Sequence, residues 1–327
     1  MKLSDFDYNL PKEFIAQFPV SPRDNSKLMI INKKIHHKKF YNILDYLNKG
    51  DVLVVNETKV IPAKLTGKKT TGAKVELIIE EIDKNKYKCR IKATNPRVGN
   101  KLIFNKYKAE IIDQDEDHFT VEFDEDVNKI MGSIGQLPLP PYVKRKLEKN
   151  SQYQTVYSNK KGSIAAPTAG LHFTKRLLSK IKKKGIRIAK VTLHVDFGTF
   201  LPVRNINKKT LHKEYFEINK KNADIINKRK GRLFVVGTTS VRTLESANKN
   251  NKIIPKKGET EIFIKPGYKF KTKIDGLITN FHLPKSTLLM LVSAFTGRKK
   301  ILSAYKLAVK NKYRFFSFGD AMLILNK

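Results

Sequence analysis

Residues 233–247 read Leu-Phe-Val-Val-Gly-Thr-Thr-Ser-Val-Arg-Thr-Leu-Glu-Ser-Ala. Four apolar residues end at Gly237, and a segment with helical spacing follows almost at once. The first four residues are typical of a buried strand, and residues 241–247 are typical of a helix with Ser240 as its N-cap. A strand that runs into a helix is the repeating unit of a layered α/β domain.

The same alternation is found on both sides of this stretch. Helices are predicted at 175–184, with Thr174 as N-cap, and at 287–294, with Ser286 as N-cap. Short strands rich in Val, Ile and Leu are predicted at 51–55, 186–195 and 277–279. The predicted fold class is therefore α/β, organised as a layered α/β domain.

Residues 66–148 have a different pattern. Short segments at 74–80, 87–91, 101–104 and 118–123 often alternate apolar with polar residues, and clusters of Asp, Asn and Gly separate them. This pattern is typical of a small antiparallel β-barrel. The run Leu-Pro-Leu-Pro-Pro at 137–141 closes the segment, because proline continues neither a sheet ladder nor a helix. We therefore predict a discontinuous α/β catalytic domain, residues 1–65 and 149–327, with an inserted β-barrel domain, residues 66–148.

The charge of the chain is strongly positive. The 327 residues include 66 Lys and Arg against 30 Asp and Glu, a formal net charge of +36. Residues 66–148 contain 16 basic and 14 acidic residues, so nearly all of the excess lies on the rest of the chain. Such an excess favours a polyanionic partner, most often nucleic acid, although AT-rich codon usage would also enrich Lys and Asn. We expect a nucleic acid to bind mainly outside the barrel.

The cysteine content and the apolar runs exclude several protein classes. Cys89 is the only cysteine, which excludes a disulfide scaffold, and its alternation with Tyr87 and Ile91 predicts that it packs on the apolar face of a strand. The first residues contain no apolar stretch suited to a signal peptide, and the most apolar run, 288–295, is too short to span a membrane. These features predict a cytoplasmic protein.

Four predicted strands are followed by polar segments. Open α/β sheets bind their ligands beyond the carboxyl ends of their strands, so these segments are expected to form a binding site. The alternative is that they are ordinary turns. The segments are Asn-Glu-Thr at 56–58, His-Val-Asp-Phe-Gly-Thr at 194–199, Gly-Thr-Thr-Ser at 237–240 and Asn-Phe-His-Leu-Pro at 280–284.

The segment 237–240 opens a helix, where free backbone N–H groups favour a carboxylate or phosphate. An ordinary helix cap is the alternative, and the segment is neither a P-loop nor a G-x-G-x-x-G fingerprint. Arg242 either pairs with Glu245, three residues on, or binds an anionic group of a ligand with two hydrogen bonds.

Histidines and a segment of small residues supply further candidates. His172, His194, His212 and His282 are each candidates for a general base, with a structural hydrogen-bonding role as the alternative. No metal is expected, because the chain has neither an H-E-x-x-H motif nor a second cysteine. The small residues with Pro and Gly at 162–174 would allow a ligand to approach the backbone closely, and a tightly packed loop that leads into a helix is the alternative.

Motifs along the whole chain resemble those of one family. They are Leu-Ser-Asp-Phe-Asp-Tyr at 3–8, Gly-Asp-Val-Leu-Val-Val-Asn-Glu-Thr-Lys-Val-Ile-Pro-Ala at 50–63, Leu-Pro-Leu-Pro-Pro-Tyr at 137–142, Tyr-Gln-Thr-Val-Tyr at 153–157, Ala-Ala-Pro-Thr-Ala-Gly-Leu-His-Phe-Thr at 165–174, Thr-Leu-His-Val at 192–195 with Gly-Thr-Phe at 198–200, Val-Gly-Thr-Thr-Ser-Val-Arg-Thr-Leu-Glu-Ser-Ala at 236–247, 278–295 and Gly-Asp-Ala-Met at 319–322. In this order they resemble the S-adenosylmethionine:tRNA ribosyltransferase-isomerases of queuosine biosynthesis.

The resemblance implies a fold, a reaction and its substrates. The fold is an α/β domain with an inserted barrel. The enzyme transfers and isomerises the ribosyl moiety of S-adenosylmethionine onto 7-aminomethyl-7-deazaguanine at the wobble position of a tRNA, and the products are epoxyqueuosine in tRNA, adenine and methionine. S-adenosylmethionine is then a substrate and no cofactor is needed. A monomer is expected from the resemblance alone.

The resemblance and the chemistry together nominate the site residues. Arg242 and the 237–240 turn are expected to bind the methionine carboxylate, and Phe173, Phe200 or Phe281 to stack on a base or face the sulfonium. The catalytic candidates are His172, His194, His212, Glu214 and His282. The substrate-binding candidates are Asn56, Thr58, Thr168, Gly198, Gly237, Thr238, Thr239, Ser240, Arg242 and Phe281.

Two positions depart from the family pattern. Asp196 and Phe197 stand where small residues are usual, so Asp196 is either an added acid/base group or a sign of a diverged pocket. The segment before Glu214, usually rich in histidine, keeps only His212.

Two other functions remain as alternatives. One is an S-adenosylmethionine-dependent RNA methyltransferase, although its usual Gly-rich loop is missing. The other is an RNA-binding module without catalytic activity.

Overall fold

Strands that alternate with helices along the sequence lie in one large sheet. The computed structural model describes residues 1–83, 86–200 and 210–326 of the chain. Its strands are β1 (Lys27–Ile31), β2 (Ile35–Lys39), β3 (Val52–Asn56), β4 (Thr58–Val60), β5 (Lys64–Lys69), β6 (Lys74–Asp83), β7 (Lys86–Ala93), β8 (Lys101–Phe104), β9 (Tyr107–Asp115), β10 (His118–Phe123), β11 (Lys160–Ser163), β12 (Arg187–Leu193), β13 (Thr210–Ile218), β14 (Leu233–Val236), β15 (Asn248–Lys249), β16 (Lys252–Ile253), β17 (Lys256–Ile262), β18 (Gly276–Asn280) and β19 (Ala321–Leu325). Its α-helices are α1 (Val127–Ile134), α2 (Lys175–Lys183), α3 (Lys220–Asn227), α4 (Thr238–Ser246), α5 (Thr287–Thr296) and α6 (Arg298–Lys310). Short 3₁₀ helices include Phe40–Tyr46 and Thr168–His172.

The chain divides into two compact units, Met1–Lys59 with Pro140–Lys327 and Val60–Leu139. The first unit contains a nine-stranded sheet in the order β17-β13-β12-β3-β14-β18-β19-β1-β2. The four central strands, β12, β3, β14 and β18, are parallel, and β13 and β19 pair antiparallel at their two sides. The carboxyl ends of the four parallel strands therefore lie at one edge of the sheet.

Both faces of the middle of this sheet are buried, which explains why β3 and β14 are almost entirely apolar, whereas β12 carries Arg187 and Lys190 at less buried positions. In β3, Val52 and Val54 belong to one core cluster, whereas Leu53 and Val55 belong to a second one. Helices α3, α4, α5 and α6 supply apolar side chains to the first cluster, and α2 and the helix Phe40–Tyr46 supply them to the second. The α/β class predicted from the sequence is confirmed.

The helix caps follow the sequence in two cases and differ in a third. The hydroxyls of Thr174 and Ser286 accept hydrogen bonds from the third residues of α2 and α5, as predicted. Helix α4 begins at Thr238, ahead of the predicted residue 241, and its N-cap is Gly237. Gly237 has φ +83°, a conformation that glycine adopts readily, so the strand turns directly into the helix. The prediction of Ser240 as N-cap is therefore wrong.

The second unit consists of antiparallel strands in the order β10-β7-β6-β5-β8-β9, and β9 also pairs with β10. It contains α1 and begins before residue 66, because β5 starts at Lys64. Cys89 on β7 is fully buried, which confirms that it packs in the apolar interior, and burial raises the pKa of its thiol. Gly67 is needed where β5 meets β8, since a Cβ there would lie 2.3 Å from the carbonyl oxygen of Ile103.

The described helices are all too short or too polar to cross a bilayer.

Candidate functional site

Two neighbouring clefts open where the four parallel strands of the large sheet end. The first spans about 590 Å³ and the second about 520 Å³, volumes that include space open to solvent, and Leu288 lines both clefts. The first is lined by Tyr142, 165–169, Val195, 237–239, 279–282, Leu288, Phe316 and Ser317. The second is lined by Asp196, Gly198, Leu211, His212, Glu214, Arg242, 262–264, Thr287, Leu288 and Leu291.

The amino-terminal turn of α4 faces the first cleft. The first intrahelical hydrogen bond runs from the N–H of Val241 to the carbonyl oxygen of Gly237, so the three preceding helical amides make no such bond. Thr238 and Thr239 line the cleft, and their N–H groups and hydroxyls suit an anionic ligand group. Ser240 does not line either cleft; its Oγ donates to the carbonyl oxygen of Val236 at 2.7 Å.

Arg242, on the same helix, lines the second cleft and is 6% exposed. Its Nη1 forms an ion pair with Glu214, and its Nε donates to the carbonyl oxygen of Ile262 at 3.2 Å. Its Nη2 is buried without a hydrogen-bond partner in the part of the chain that the structure describes. This guanidinium therefore has a donor left for a ligand.

Glu245 does not pair with Arg242, so that alternative is wrong. Its carboxylate accepts hydrogen bonds from the hydroxyl of Tyr268 at 2.8 Å and from the backbone amides of Lys271 and Thr272, both at 2.9 Å. Glu245 thus holds the segment after β17 in place. Arg242 forms its ion pair with Glu214 instead.

Acidic and basic groups converge in the second cleft. The Oε1 of Glu214 accepts a hydrogen bond from the N–H of Asp196 at 3.1 Å. Gly198 lies between Asp196 and His212, because a Cβ there would be 3.2 Å from an atom of each side chain. Asp196, the residue that departs from the family pattern, therefore lies in the same cleft as Glu214.

His282 lines the first cleft and is almost completely buried. Its Nε2 lies 3.2 Å from the Oγ1 of Thr279 and its Nδ1 lies 3.3 Å from the hydroxyl of Tyr305. Its carbonyl oxygen accepts a hydrogen bond from Tyr8. Burial lowers the pKa of His282 to about 3. The imidazole is therefore neutral near pH 7 and fixed in orientation.

His172 lines neither cleft. It borders a separate cavity of about 210 Å³, with its Nδ1 2.8 Å from the Oγ of Ser26 and its Nε2 3.2 Å from the Oδ1 of Asn280. Its ring stacks on Phe40 at a centroid distance of 4.9 Å. Burial lowers the pKa of His172 to about 4. The hydrogen bond between His172 and Asn280 thus positions Asn280, which lines the first cleft.

His194 also lies outside the two clefts. Its Nδ1 is 2.7 Å from the Oγ1 of Thr58, and its ring stacks on Tyr215. Burial, with a smaller contribution from the nearby Lys160, lowers the pKa of His194. The structure places His194 and Thr58 together at the ends of β12 and β3, away from the cleft walls.

Asn56 joins three elements beneath the clefts. Its Nδ2 donates to the carbonyl oxygen of Leu193 at 3.0 Å and to the Oγ1 of Thr239 at 3.2 Å. Its Oδ1 accepts from the N–H groups of Thr58 and Leu193, both at 3.1 Å. Because every polar atom of this buried amide is used within the protein, Asn56 positions the site and does not line it.

The aromatic candidates are mostly core residues. Phe281 is fully buried and packs edge-on against Tyr305 and Tyr313 at centroid distances of 5.3 and 5.4 Å. Phe173 is fully buried against Phe40. Both rings are engaged in packing, and of the two only Phe281 borders the first cleft. The side chain of Phe200 lies outside the described residues.

Thr168, a substrate-binding candidate, lines the first cleft as expected.

Tyr142, Phe316 and Ser317, which line the first cleft, were not among the sequence-based candidates. The hydroxyl of Tyr142 lies 2.5 Å from the Oγ of Ser317, and the Tyr142 ring packs edge-on against Phe316 at 4.1 Å. Phe316 has φ +74°, which is uncommon for a residue with a side chain. Ser317 and Phe316 reach this edge because β19 runs antiparallel to β18, so the residues before Ala321 lie beside Asn280.

Comparisons with known proteins decide the family. A family model described as a queuosine biosynthesis protein matches residues 3–324. The chain belongs to this family.

Relatives cover the chain almost end to end. An S-adenosylmethionine:tRNA ribosyltransferase-isomerase of Fusobacterium nucleatum subsp. nucleatum is 51% identical over 339 residues, 98% of this chain and 96% of the relative. One of the same name from Halothermothrix orenii is 50% identical over 345 residues, 99% of this chain and 100% of the relative. A crystal structure of S-adenosylmethionine tRNA ribosyltransferase from Thermotoga maritima is 36% identical, with a TM-score of 0.58, and covers 98% of this chain and 100% of that chain.

Replacing Asn56 tests its positioning role in this queuosine biosynthesis family member. Asn56→Ala leaves the N–H and carbonyl groups of Leu193 and the N–H of Thr58 without their partner, so the free energy of unfolding should fall by about 3 kcal/mol. Urea denaturation measures this loss. Asn150→Ala, at an exposed position, is the control and should change the value by less than about 0.5 kcal/mol. An Asn56→Ala protein of wild-type stability would contradict the role.

The buried histidines predict a dependence of stability on pH. Because the pKa values of His172 and His282 are lowered to about 4 and 3 in the folded protein, the unfolded chain binds protons below about pH 6.5 that the folded chain does not. The free energy of unfolding should therefore fall as pH falls from 6.5 to 4, by about 1 kcal/mol per pH unit for each histidine. Denaturant titrations of wild type and His282→Gln across this range measure the slope, which should be shallower in the variant. Equal slopes would show that His282 is protonated in the folded protein.

Proposed function

We propose that this chain is an S-adenosylmethionine:tRNA ribosyltransferase-isomerase. It transfers and isomerises the ribosyl moiety of S-adenosylmethionine onto 7-aminomethyl-7-deazaguanine at the tRNA wobble position, and it releases adenine and methionine. The observation that carries this proposal is the pair of adjacent clefts that meet at Leu288, with helix α4 contributing its first turn to one and Arg242 to the other. Two ligands that must react with each other need two joined sites of this kind. The similarity of the whole chain to enzymes of that name supports the same reaction.

The first cleft is assigned to S-adenosylmethionine. Its methionine carboxylate binds the open amides and the hydroxyls of Thr238 and Thr239, where the helix dipole adds to the attraction. This assignment differs from the expectation that Arg242 and Ser240 share the task, because Arg242 lies in the second cleft and Ser240 is bonded to β14. The side chains of His282 and Asn280 are held by hydrogen bonds to neighbouring residues and shape the wall of the cleft beside the nucleoside.

The second cleft is assigned to proton transfer at the nucleobase. The aminomethyl nitrogen of the target base must lose a proton as it forms its bond to the ribosyl carbon. Glu214, positioned by Arg242, and His212, which lines the same cleft, are the groups assigned to take it. The sulfonium acidifies the hydrogens on the neighbouring carbon, so a base in this position also serves to begin the rearrangement.

The remaining steps release the two products. The bond between adenine and the ribosyl carbon breaks, and adenine leaves with a proton supplied from the site. The carbon–sulfur bond breaks with its electron pair on sulfur, which gives methionine. His172 and His194 are assigned positioning roles. His172 is hydrogen-bonded to Asn280, and His194 is hydrogen-bonded to Thr58.

The setting of the reaction follows from charge and composition. We assign tRNA phosphates to the basic surface of the first unit, where nearly all of the net charge of +36 lies. S-adenosylmethionine is a substrate here, so no cofactor is assigned, and a cytoplasmic monomer remains the proposal. The pairing order of the second unit, in which β9 also meets β10, supports its interpretation as the inserted small β-barrel.

Isotope labelling tests the reaction. Wild-type protein is incubated with tRNA carrying 7-aminomethyl-7-deazaguanine and with S-adenosylmethionine labelled either in the ribose or in the methyl group. Ribose label should enter the RNA and free adenine should appear. Methyl label in the RNA would indicate a methyltransferase, and tRNA binding without any adenine release would indicate an RNA-binding module.

Replacing Glu214 tests the assignment of the base. Glu214→Gln keeps the shape of the side chain and removes its charge, and kcat should fall about 100-fold or more. Glu217→Gln is the matched control, because Glu217 lies on the same strand and pairs with Lys160 outside the clefts. Adenine release measures both, with circular dichroism to verify folding at the assay temperature. A folded Glu214→Gln enzyme with wild-type kcat would reject Glu214 as the base.

A further inference from the structure

The side chain of Phe18 stands out from the other phenylalanines. Among the side chains that the structure describes, it is the one phenylalanine that is largely exposed, with 48% of its surface accessible. Exposing the apolar surface of an aromatic ring to water is unfavourable in free energy, and burial against a partner would remove that penalty. The exposed ring is therefore a candidate contact surface.

Basic groups surround this ring. The guanidinium carbon of Arg145 lies 4.8 Å from the centre of the Phe18 ring, and its neighbours Lys144 and Lys146 are also exposed. A ring that keeps half of its surface open beside three consecutive basic residues has the composition of a site for single-stranded nucleic acid. Bases stack there on aromatic rings and guanidinium planes, and phosphates meet lysines.

The backbone that carries Phe18 is fixed beside the first cleft. The carbonyl oxygen of Phe18 accepts a hydrogen bond from the Nη1 of Arg314 at 3.1 Å. The adjacent Gln17 donates from Nε2 to the carbonyl oxygen of Tyr142 at 2.9 Å and accepts at Oε1 from the N–H of Lys144 at 2.8 Å. Tyr142 lines the first cleft. The ring is thus held in place near the wall of the site, on the same unit.

We propose that Phe18 and Arg145 form a stacking platform for an unpaired RNA base that neighbours the base being modified. This inference rests on the proposed function. A base that enters the cleft must leave its stack, and the neighbouring base then loses a stacking partner. Phe18 replaces that partner, and Arg145 holds the ring and attracts the adjoining phosphate.

Binding measurements on matched variants test the platform. Phe18→Ala should weaken binding of tRNA carrying 7-aminomethyl-7-deazaguanine by about 5- to 150-fold, the range for loss of one stacked base. Phe18→Tyr should restore affinity to within about twofold, because it keeps the aromatic face. Tyr41→Ala removes a ring that is 42% exposed elsewhere on the unit and should leave affinity unchanged. Fluorescence anisotropy measures the dissociation constants.

Two further readouts separate stacking from other roles. The slope of log affinity against log salt should be unchanged in Phe18→Ala, because no phosphate contact is lost. Binding of S-adenosylmethionine, measured by calorimetry, should also be unchanged. Equal losses of tRNA and S-adenosylmethionine affinity would show a merely structural role and overturn the proposal. So would concentration-dependent dimers of wild type that Phe18→Ala abolishes, since a second copy would then cover the ring.

The outcomes also distinguish this inference from the proposed function. If wild-type protein releases adenine with precursor tRNA but Phe18→Ala binds that tRNA with wild-type affinity, the platform is refuted and the function stands. If wild-type protein releases no adenine but Phe18→Ala still weakens RNA binding selectively, the function is refuted and Phe18 is a stacking residue for RNA without a modified base beside it.

Discussion

Parallel hydrogen bonding among β12, β3, β14 and β18 brings four strand ends to one edge of the large sheet. Apolar side chains on both faces of β3 and β14 hold these strands between the helices that cover the two sides of the sheet. The side-chain amide of Asn56 then joins the end of β3 to β12 and to the first turn of α4. This join links the turn that carries Thr238 and Thr239 to the end of β12. The geometry of both clefts therefore depends on the pairing of these strands.

Helix α4 couples the two clefts. Thr238 and Arg242 are four residues apart, so they lie on the same face of the helix, one turn apart. The helix begins directly after β14 because Gly237 takes up the sharp change of direction. A helix that began at residue 241, as the sequence pattern predicted, would leave 238–240 as a loop and would not aim the amides of Thr238 and Thr239 into the first cleft. The early start of α4 thus places its first turn at the wall of the first cleft.

The sequence predicted the strand ends well because apolar strands and polar exits are local properties. It predicted the side-chain partners poorly, since those depend on which strands become neighbours. Arg242 and Glu245 have the spacing of a helical ion pair, yet Glu214 from β13 reaches the guanidinium and Glu245 caps a distant loop. His172 lies in a motif with small residues, but its partners, Ser26 and Asn280, come from opposite ends of the chain. Tyr142 directly follows the proline-rich run 137–141, and only the fold brings it to Ser317.

The central claim is that S-adenosylmethionine occupies the first cleft with its carboxylate at the start of α4. A crystal structure of the protein with S-adenosylmethionine bound tests this most directly. We predict carboxylate oxygens within hydrogen-bond distance of the N–H groups of Thr238 and Thr239, with the nucleoside between 165–169 and His282. A nucleoside bound within Val60–Leu139, or a carboxylate held elsewhere on the sheet, would contradict it.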